Sequence, residues 1–515
     1  MVARYTDANR QQDIEAQNTP EQFAPDVSLY APQSKRPGQK FPERTLILTL
    51  SGGGQRAASF ALGVMAELEV LNPGLTTGEY LKLDYLNEVD YISSVSGGGW
   101  GGAAYIFSRL DHQREADHAP YSLNKEWPVL LARIRAASRG DWIERAVDDH
   151  ILGRYTRKKQ GKGSLTLGEV FIDRKSKQVP GVPYLIANAA VYENLMPFPY
   201  TPDVLRRNGI KHYLHRCRKV DAQRVPTWHF FSFCEFNREP HDPYLFPFAI
   251  GVKASSSVPG FLKPEVLAKS PPPEDAEENY GALFHLIDGG LYDNLGLFTA
   301  EKILDKVKTK HNLTIIVDAN VRPTRAETTG RFNRYRQFPT LDKMLFHIAE
   351  DQGITSKKLA AESSFTKKTS AVVVSMKDLV AVGSAPASYP VGELFRGLDT
   401  LNEVIALKCP WRYDPRGLFS LEGREKRRIC GSIRGKQAVN VPRASATMDH
   451  PETRAALQVA YEIATAQATT FRTTSYQQRL VMDLGRLSVR LRAREIRKKF
   501  LFPEQKQQTQ EASAE

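Results

Sequence analysis

Ser96 stands where an apolar run, Val89 to Val95, breaks into three glycines and then into a helix-like stretch from Trp100 to Leu110. A serine on such a strand-to-helix turn lifts its hydroxyl above the sheet edge, which is what a nucleophile needs. The helix that follows points free amides and the positive end of its dipole at any negative charge developing there. The usual spacing is G-x-S-x-G, but this chain has Ser94 two positions before the serine and Gly98 two after. If the turn requires a positive backbone angle at position 94, a serine there stores about 1 to 3 kcal/mol of strain.

Acyl transfer to a serine also needs donors for the oxyanion, and losing one costs roughly a hundredfold to a thousandfold in rate. Gly52, Gly53 and Gly54 can supply them. They follow the hydrophobic strand Thr45 to Leu50 and precede a helical pattern of Ala57, Phe60, Ala61, Val64 and Leu68, so bare amides face outward at a helix start. Arg56, on the first turn of that helix, can hold a phosphate or orient the glycine loop. Nucleotide binding is the rival use of such a loop, but neither a G-K-[ST] ending nor G-x-G-x-x-G is present. Far downstream, the apolar run Leu283 to Ile287 delivers Asp288 into a Gly-Gly turn. By itself that carboxylate reads as an Asx turn. With the other two elements it becomes a candidate base for the serine.

A conventional triad would place a histidine after the aspartate in the chain. His311 lies in a polar run and His347 in the helix-like stretch Leu341 to Ile348, neither in a recognisable catalytic turn, while His285 shares a strand with Asp288 and reads as a local packing or capping residue.

The sequence S-G-G-G-x-R, then a serine elbow, then D-G-G resembles the patatin-like and cytosolic phospholipase A2-type lipid acyl hydrolases. The resemblance covers roughly residues 45 to 320 and includes Ala254-Ser-Ser-Ser-Val-Pro259, which is similar to the family's Ala-Ser-x-x-x-Pro segment. It implies a Ser-Asp dyad working without histidine: Ser96 as nucleophile, Asp288 as base, Gly52, Gly53 and Gly54 as oxyanion loop. The implied activity is cleavage of carboxylic esters of phospholipids through an acyl-enzyme, of phospholipase A or lysophospholipase type. Neutral-lipid esters and thioesters remain alternatives, as does a membrane-associated scaffold of the same fold without turnover. Partial desolvation should raise the aspartate above its usual value of about 3.9 and make it a better base. No cofactor or metal is expected, since H-E-x-x-H, C-x-x-C and EF-hand patterns are missing from the sequence.

The expected fold class is α/β, a three-layer α/β/α sandwich on a mostly parallel sheet. Strands are read at Thr45–Leu50, Val89–Val95, Tyr184–Ala190, Trp228–Phe236, Leu283–Asp288 and Leu313–Val317, alternating with helical stretches. Ser96 and Asp288 both fall at carboxyl ends of strands, where ligands of such sheets sit. The 515 residues, 41% apolar, suffice for one large core or several. Residues 1–43 read as a flexible arm, 44–320 as the catalytic core and 321–475 as a helical region completing the core or forming a lid. Helices in that region are read at Leu341–Ile348, Glu393–Leu407 and Arg454–Ala466. Residues 476–515 read as a basic amphipathic helix and polar tail. Cys217, Cys234, Cys409 and Cys430 are widely spaced and fit buried thiols better than a disulfide framework.

Part of the +13 formal charge sits in residues 479–499, where eight Arg or Lys meet two acidic residues for a net +6. Leu480, Leu484, Leu487 and Leu491 recur there at about one helical turn. Such a helix can lie on an anionic lipid surface, or its leucines can pack on the domain while the arginines are solvated. Arg154 to Lys162 and Lys35 to Arg44 are further basic stretches, but no nucleic-acid-binding motif accompanies them, so no nucleic-acid partner is expected. The expected partners are a lipid ester and a peripheral membrane surface, with an activating ligand or protein left open. No apolar leader opens the chain and no run of about eighteen apolar residues occurs, which suggests a cytoplasmic protein peripheral at membranes, or export as an effector.

Overall fold

The computed structural model describes residues 43–71, 84–113, 121–137, 165–171, 182–213, 240–259, 264–269, 283–307, 311–320, 368–380, 391–406, 450–465 and 475–501, with a few isolated positions between them. The elements that matter here are, in chain order, β1 (Arg44–Leu50), α1 (Gly54–Val70), β2 (Val89–Val95), α2 (Gly97–Gln113), α3 (Leu123–Ala137), β3 (Tyr184–Val191), β4 (Pro197–Tyr200), β5 (His212–Tyr213), α4 (Phe248–Ala254), β6 (Glu265–Ala268), β7 (Leu283–Asp288), α5 (Leu297–Lys306), β8 (His311–Asp318), β9 (Ser370–Ser375), α6 (Asp399–Ala406), α7 (Pro451–Thr465) and α8 (Ser475–Leu501).

The strands form one mixed sheet in the order β5-β6-β7-β3-β2-β1-β8-β9, with β4 also on β3. The run β3-β2-β1-β8-β9 is parallel throughout. β1 and β2 are buried along almost their whole length, as strands covered on both faces must be, including the polar Thr45, Thr49, Asp90, Ser93 and Ser94. Helix α1 packs against α2, α3 and α8, while α5 contacts β1 and β2, so the sheet carries helices on both sides.

The pairing around β3 positions the site. β4 and β7 both pair Ala189 and Ala190, so they occupy opposite edges of β3. β4 and β2 both pair Ala187 and Asn188, so β2 and β7 share the remaining edge, end to end. Val95 is level with Asn188 and Asp288 with Ala189. Two strands running in opposite directions therefore bring their carboxyl ends face to face, one followed by Ser96 and the other ending in Asp288.

The region 321–475 differs from its helical reading. Ser370–Ser375 forms β9, which extends the parallel edge beside β8. Its alternating Val372 and Val374 are buried. Six residues between polar flanks are too short for the sequence pattern to separate strand from helix. The readings at Trp228–Phe236 and Leu341–Ile348, the four cysteines, the stretch Arg154 to Lys162 and most of residues 1–43 lie outside the described residues.

Helix α8 is part of the core. Leu480, Leu484 and Leu487 are fully buried, and Leu491 is 9% exposed. The helix crosses α1 at Gly63, where a Cβ would stand 2.1 Å from the Met482 carbonyl oxygen, so only glycine permits the approach. Glu67 on α1 is enclosed at this crossing and accepts from Arg486 Nε at 3.0 Å and Arg490 Nε at 2.7 Å. Of the two uses open to the helix, its leucines thus serve packing on the domain, and two of its arginines are consumed by a buried carboxylate. Among the described residues no helix is long and apolar enough to cross a membrane.

Removing Glu67 would take the carboxylate from two guanidinium groups and leave them only backbone carbonyls as acceptors among the described residues. Glu67→Ala is expected to cost about 3 to 5 kcal/mol in a denaturant titration, whereas Arg492→Ala, at the half-exposed pair with Asp378, should cost about 1 kcal/mol or less.

Candidate active site

Ser96 adopts φ 49°, one of two non-glycine residues with positive φ among the described residues. The strain of the turn therefore sits on the serine itself and not at position 94. Ser94 stays within β2 and its hydroxyl donates to the Ile186 carbonyl at 3.1 Å, so serine in place of glycine there stores no left-handed strain. The glycines that follow are dictated by space. A Cβ on Gly97 would stand 1.9 Å from the Gly54 carbonyl oxygen, so the elbow and the glycine loop are pressed together.

Asp288 lies beside Ser96, near enough for the hydroxyl to act on its carboxyl, and is 5% exposed. Its Oδ1 accepts from the Gly290 amide at 2.7 Å. Burial pushes its carboxyl up to about 6, and the Gly290 amide and the Ser96 hydroxyl pull in the opposite direction without cancelling the effect. The structure thus brings together the serine and aspartate singled out from sequence, both less than a tenth exposed.

The glycine loop divides differently from its sequence reading. The Gly52 amide donates to the Asn294 carbonyl at 3.1 Å, so it is spent on holding the loop and is not a free donor. Gly53 at φ 136° and Gly54 at φ 61° open helix α1, and among the described residues neither amide donates a hydrogen bond. First-turn amides have no intrahelical acceptor, which is why these two remain available. Arg56 is 4% exposed, donates from Nε to the Ala319 carbonyl at 3.2 Å, and would bring a terminal nitrogen within 3.1 Å of a Cβ on Gly53. It is thus held behind the glycine loop by the backbone that follows β8.

Several residues here were not singled out from sequence. Asn294 Nδ2 donates to Asn320 Oδ1 at 2.8 Å, and its side-chain oxygen approaches Gly52 and Gly290, so one residue braces both the glycine loop and the turn after Asp288. Asn188 spans the junction of β2 and β7: its Nδ2 donates to Ser93 Oγ at 2.9 Å and to the Ser94 carbonyl at 3.0 Å, and its Oδ1 accepts from Thr299 Oγ1. Trp100 Nε1 donates to Ser256 Oγ at 2.8 Å, tying α2 to the segment after α4. The D-G-G-L-Y-D-N run carried the only sequence signal for Asn294, and Asn188 had none.

Two of the three histidines weighed from sequence are described, and both stand away from Ser96 and Asp288. His285 pairs with Glu193 at the partly exposed start of β7. His311 opens β8, at the end opposite the site and roughly 23 Å along the strand from it. His347 lies outside the described residues. Among the described residues no group of three or more His, Cys, Asp or Glu is arranged to hold a metal.

Residues 48–300 match the family model Patatin, described as patatin-like phospholipase. No curated protein matches the chain. Among solved structures, that of full-length SpcU in complex with full-length ExoU, from the type III secretion system of Pseudomonas aeruginosa, is similar at 15% identity. The match covers 91% of this chain and 83% of that chain, with a TM-score of 0.21, too low to bear on the arrangement described above. Serine elbow, glycine loop and D-G-G turn all fall inside the matched span, so residues 48–300 carry a patatin-like phospholipase domain.

Proposed function

We propose that this lipid acyl hydrolase cleaves carboxylic esters of phospholipids through an acyl-enzyme on Ser96, with Asp288 as the only base. The observation that supports this most is the meeting of Ser96 and a buried Asp288 at the junction of β2 and β7, with burial raising the Asp288 carboxyl to about 6. A carboxylate near its ordinary value is a weak base for a serine hydroxyl, and desolvation makes it stronger while leaving it ionised at neutral pH.

Asp288 takes the Ser96 proton as Oγ attacks the ester carbonyl carbon. The carbonyl electron pair moves to oxygen, where the Gly53 and Gly54 amides stabilise it. Collapse of the tetrahedral intermediate breaks the ester C–O bond, and the leaving alcohol, a lysophospholipid if the substrate is diacyl, takes the proton back from Asp288. Water then repeats the sequence on the acyl-enzyme: Asp288 accepts its proton, fatty acid leaves, and Ser96 is reprotonated. The α2 N-terminus beside Ser96 favours the negative charge of both intermediates. The enzyme meets its substrate at a lipid surface, and the membrane is the partner this reading requires.

Fatty-acid release from mixed phospholipid vesicles, read by mass spectrometry, should fall at least about a thousandfold in Ser96→Ala and in Asp288→Asn. Equal release by wild type and Ser96→Ala would remove the serine from the mechanism. The rate should also carry one acid limb: kcat/KM falls about tenfold per pH unit below about 6, where Asp288 becomes protonated, and is level above about 7.

The same shift has a stability consequence of opposite sense. Because the folded carboxyl titrates near 6 and the unfolded one near 3.8, its contribution to stability is present below pH 4 and is lost as pH rises to 6. Asp288→Asn should therefore be more stable than wild type at pH 8, by at most about 3 kcal/mol, with no gain at pH 4. Thermal melts at the two pH values test the sign.

A further inference from the structure

Ser255 follows α4 and is completely buried. Its hydroxyl accepts from the Ser96 backbone amide at 2.8 Å and donates to the Asn188 carbonyl at 2.6 Å. Its own carbonyl accepts from the Gly289 amide at 3.4 Å, and two residues on the Ser257 carbonyl accepts from the Asp288 amide at 3.0 Å. One short segment thus grips the backbone on both sides of the junction where β2 and β7 meet. Lys253, which precedes it, forms an ion pair with Glu265 on β6 and anchors the segment to the sheet.

The amide of a residue at φ 49° points away from the directions a regular strand or helix would satisfy, and buried without an acceptor it would cost about 1 to 3 kcal/mol. The Ser255 hydroxyl is the acceptor that makes this conformation tolerable, and the Asn188 carbonyl fixes the hydroxyl's direction. Nothing else in the Ser-Ser-Ser run does this: Ser256 receives Trp100, and the Ser257 hydroxyl turns back onto the Lys253 carbonyl.

Resting on the reading of Ser96 as nucleophile, we propose that Ser255 is a positioning residue for the reaction: its hydroxyl locks Ser96 in the left-handed conformation while its carbonyl fixes Gly289, so that one residue sets the spacing of nucleophile and base. Ser255 touches neither substrate nor the transferred proton. Its loss should act on the approach of Ser96 to Asp288, and since the Ser96 hydroxyl lowers the Asp288 carboxyl, slackening that approach should move the acid limb upward.

The test is the rate at which a fluorophosphonate labels Ser96 in the full-length chain between pH 5 and 8, with the labelled peptide identified by mass spectrometry. Wild type, Ser96→Ala, Ser255→Ala and the near-isosteric Ser255→Cys are compared, and melting temperatures are recorded. The proposal expects Ser255→Ala to be labelled about a hundredfold more slowly, with an acid limb above the wild-type one and a vesicle KM within about twofold of wild type. Ser255→Cys, whose thiol is a weak acceptor, should fall between them, and it carries the test if the alanine variant does not fold. Labelling of the folded variants at the wild-type rate overturns the proposal. So does slow labelling with an unmoved acid limb and a lowered melting temperature, the signature of a merely structural serine. Wild type that is not labelled on Ser96 overturns the nucleophile reading, and this proposal with it.

Discussion

Two strands running in opposite directions end against each other on a single edge of β3, and the rest of the site depends on that junction. β2 arrives with its ladder to Asn188, β7 with its ladder from Ala189, and the residues at their tips are Ser96 and Asp288. Neither side chain has to reach far, because register alone makes them neighbours. The cost of the junction is an interrupted ladder, in which backbone groups at the seam lose the partner a continuous strand would provide. Side chains fill the deficit: the Asn188 carbonyl is taken by Ser255 Oγ, and the Asn188 amide group reaches Ser93 and Ser94. The polar residues packed around the seam are therefore there for the same reason the two tips are close.

Such an arrangement concentrates unfavourable terms in a small volume. Ser96 holds a left-handed backbone, worth about 1 to 3 kcal/mol of strain, Asp288 is deprived of solvent, and Arg56 is enclosed behind the glycine loop. These features persist because the surrounding layers over-determine them. Helix α1 begins at the glycine loop and is clamped in its second half by α8 through Gly63 and Glu67. The loop thus enters the site from a helix whose far end cannot shift. The +6 segment at the end of the chain, which by composition alone resembles a surface-seeking helix, finds its main use in this clamp.

What was legible in the sequence was local. Val89–Val95 and Leu283–Asp288 are strands with the expected bounds, since a short run rich in β-formers that breaks into glycines reports its own state. Ser96 and Asp288 were readable because each ends such a run. Apart from the strain placed at position 94, the misreadings needed a partner distant in the chain. Nothing in Ser51 to Arg56 reveals that the Gly52 amide is spent on Asn294, or that Arg56 reaches Ala319. The spacing around Ser96 suggested strain at position 94, because the rule counts residues and not angles. β9 became a strand through β8, and Ser255 acquires its place only when α4, β2 and β7 converge.

Burial of the carboxylate has two effects that pull against each other under the proposed mechanism. Withdrawing Asp288 from water strengthens it as a base, and at about 6 it remains mostly ionised at neutral pH. Deeper desolvation would raise it past 7, and the resting enzyme would then hold a protonated acid that cannot take the serine proton. Fuller hydration would return it toward 3.8 and remove most of the driving force for proton transfer. The Gly290 amide sets the balance between these limits, since it is a donor that burial does not weaken and that favours the ionised form. The glycine at position 290 follows from the same requirement: a Cβ there would stand 2.9 Å from Asp288 Oδ1 and 2.8 Å from Asn294 Oδ1, and any side chain would push the amide off the carboxylate it holds in range.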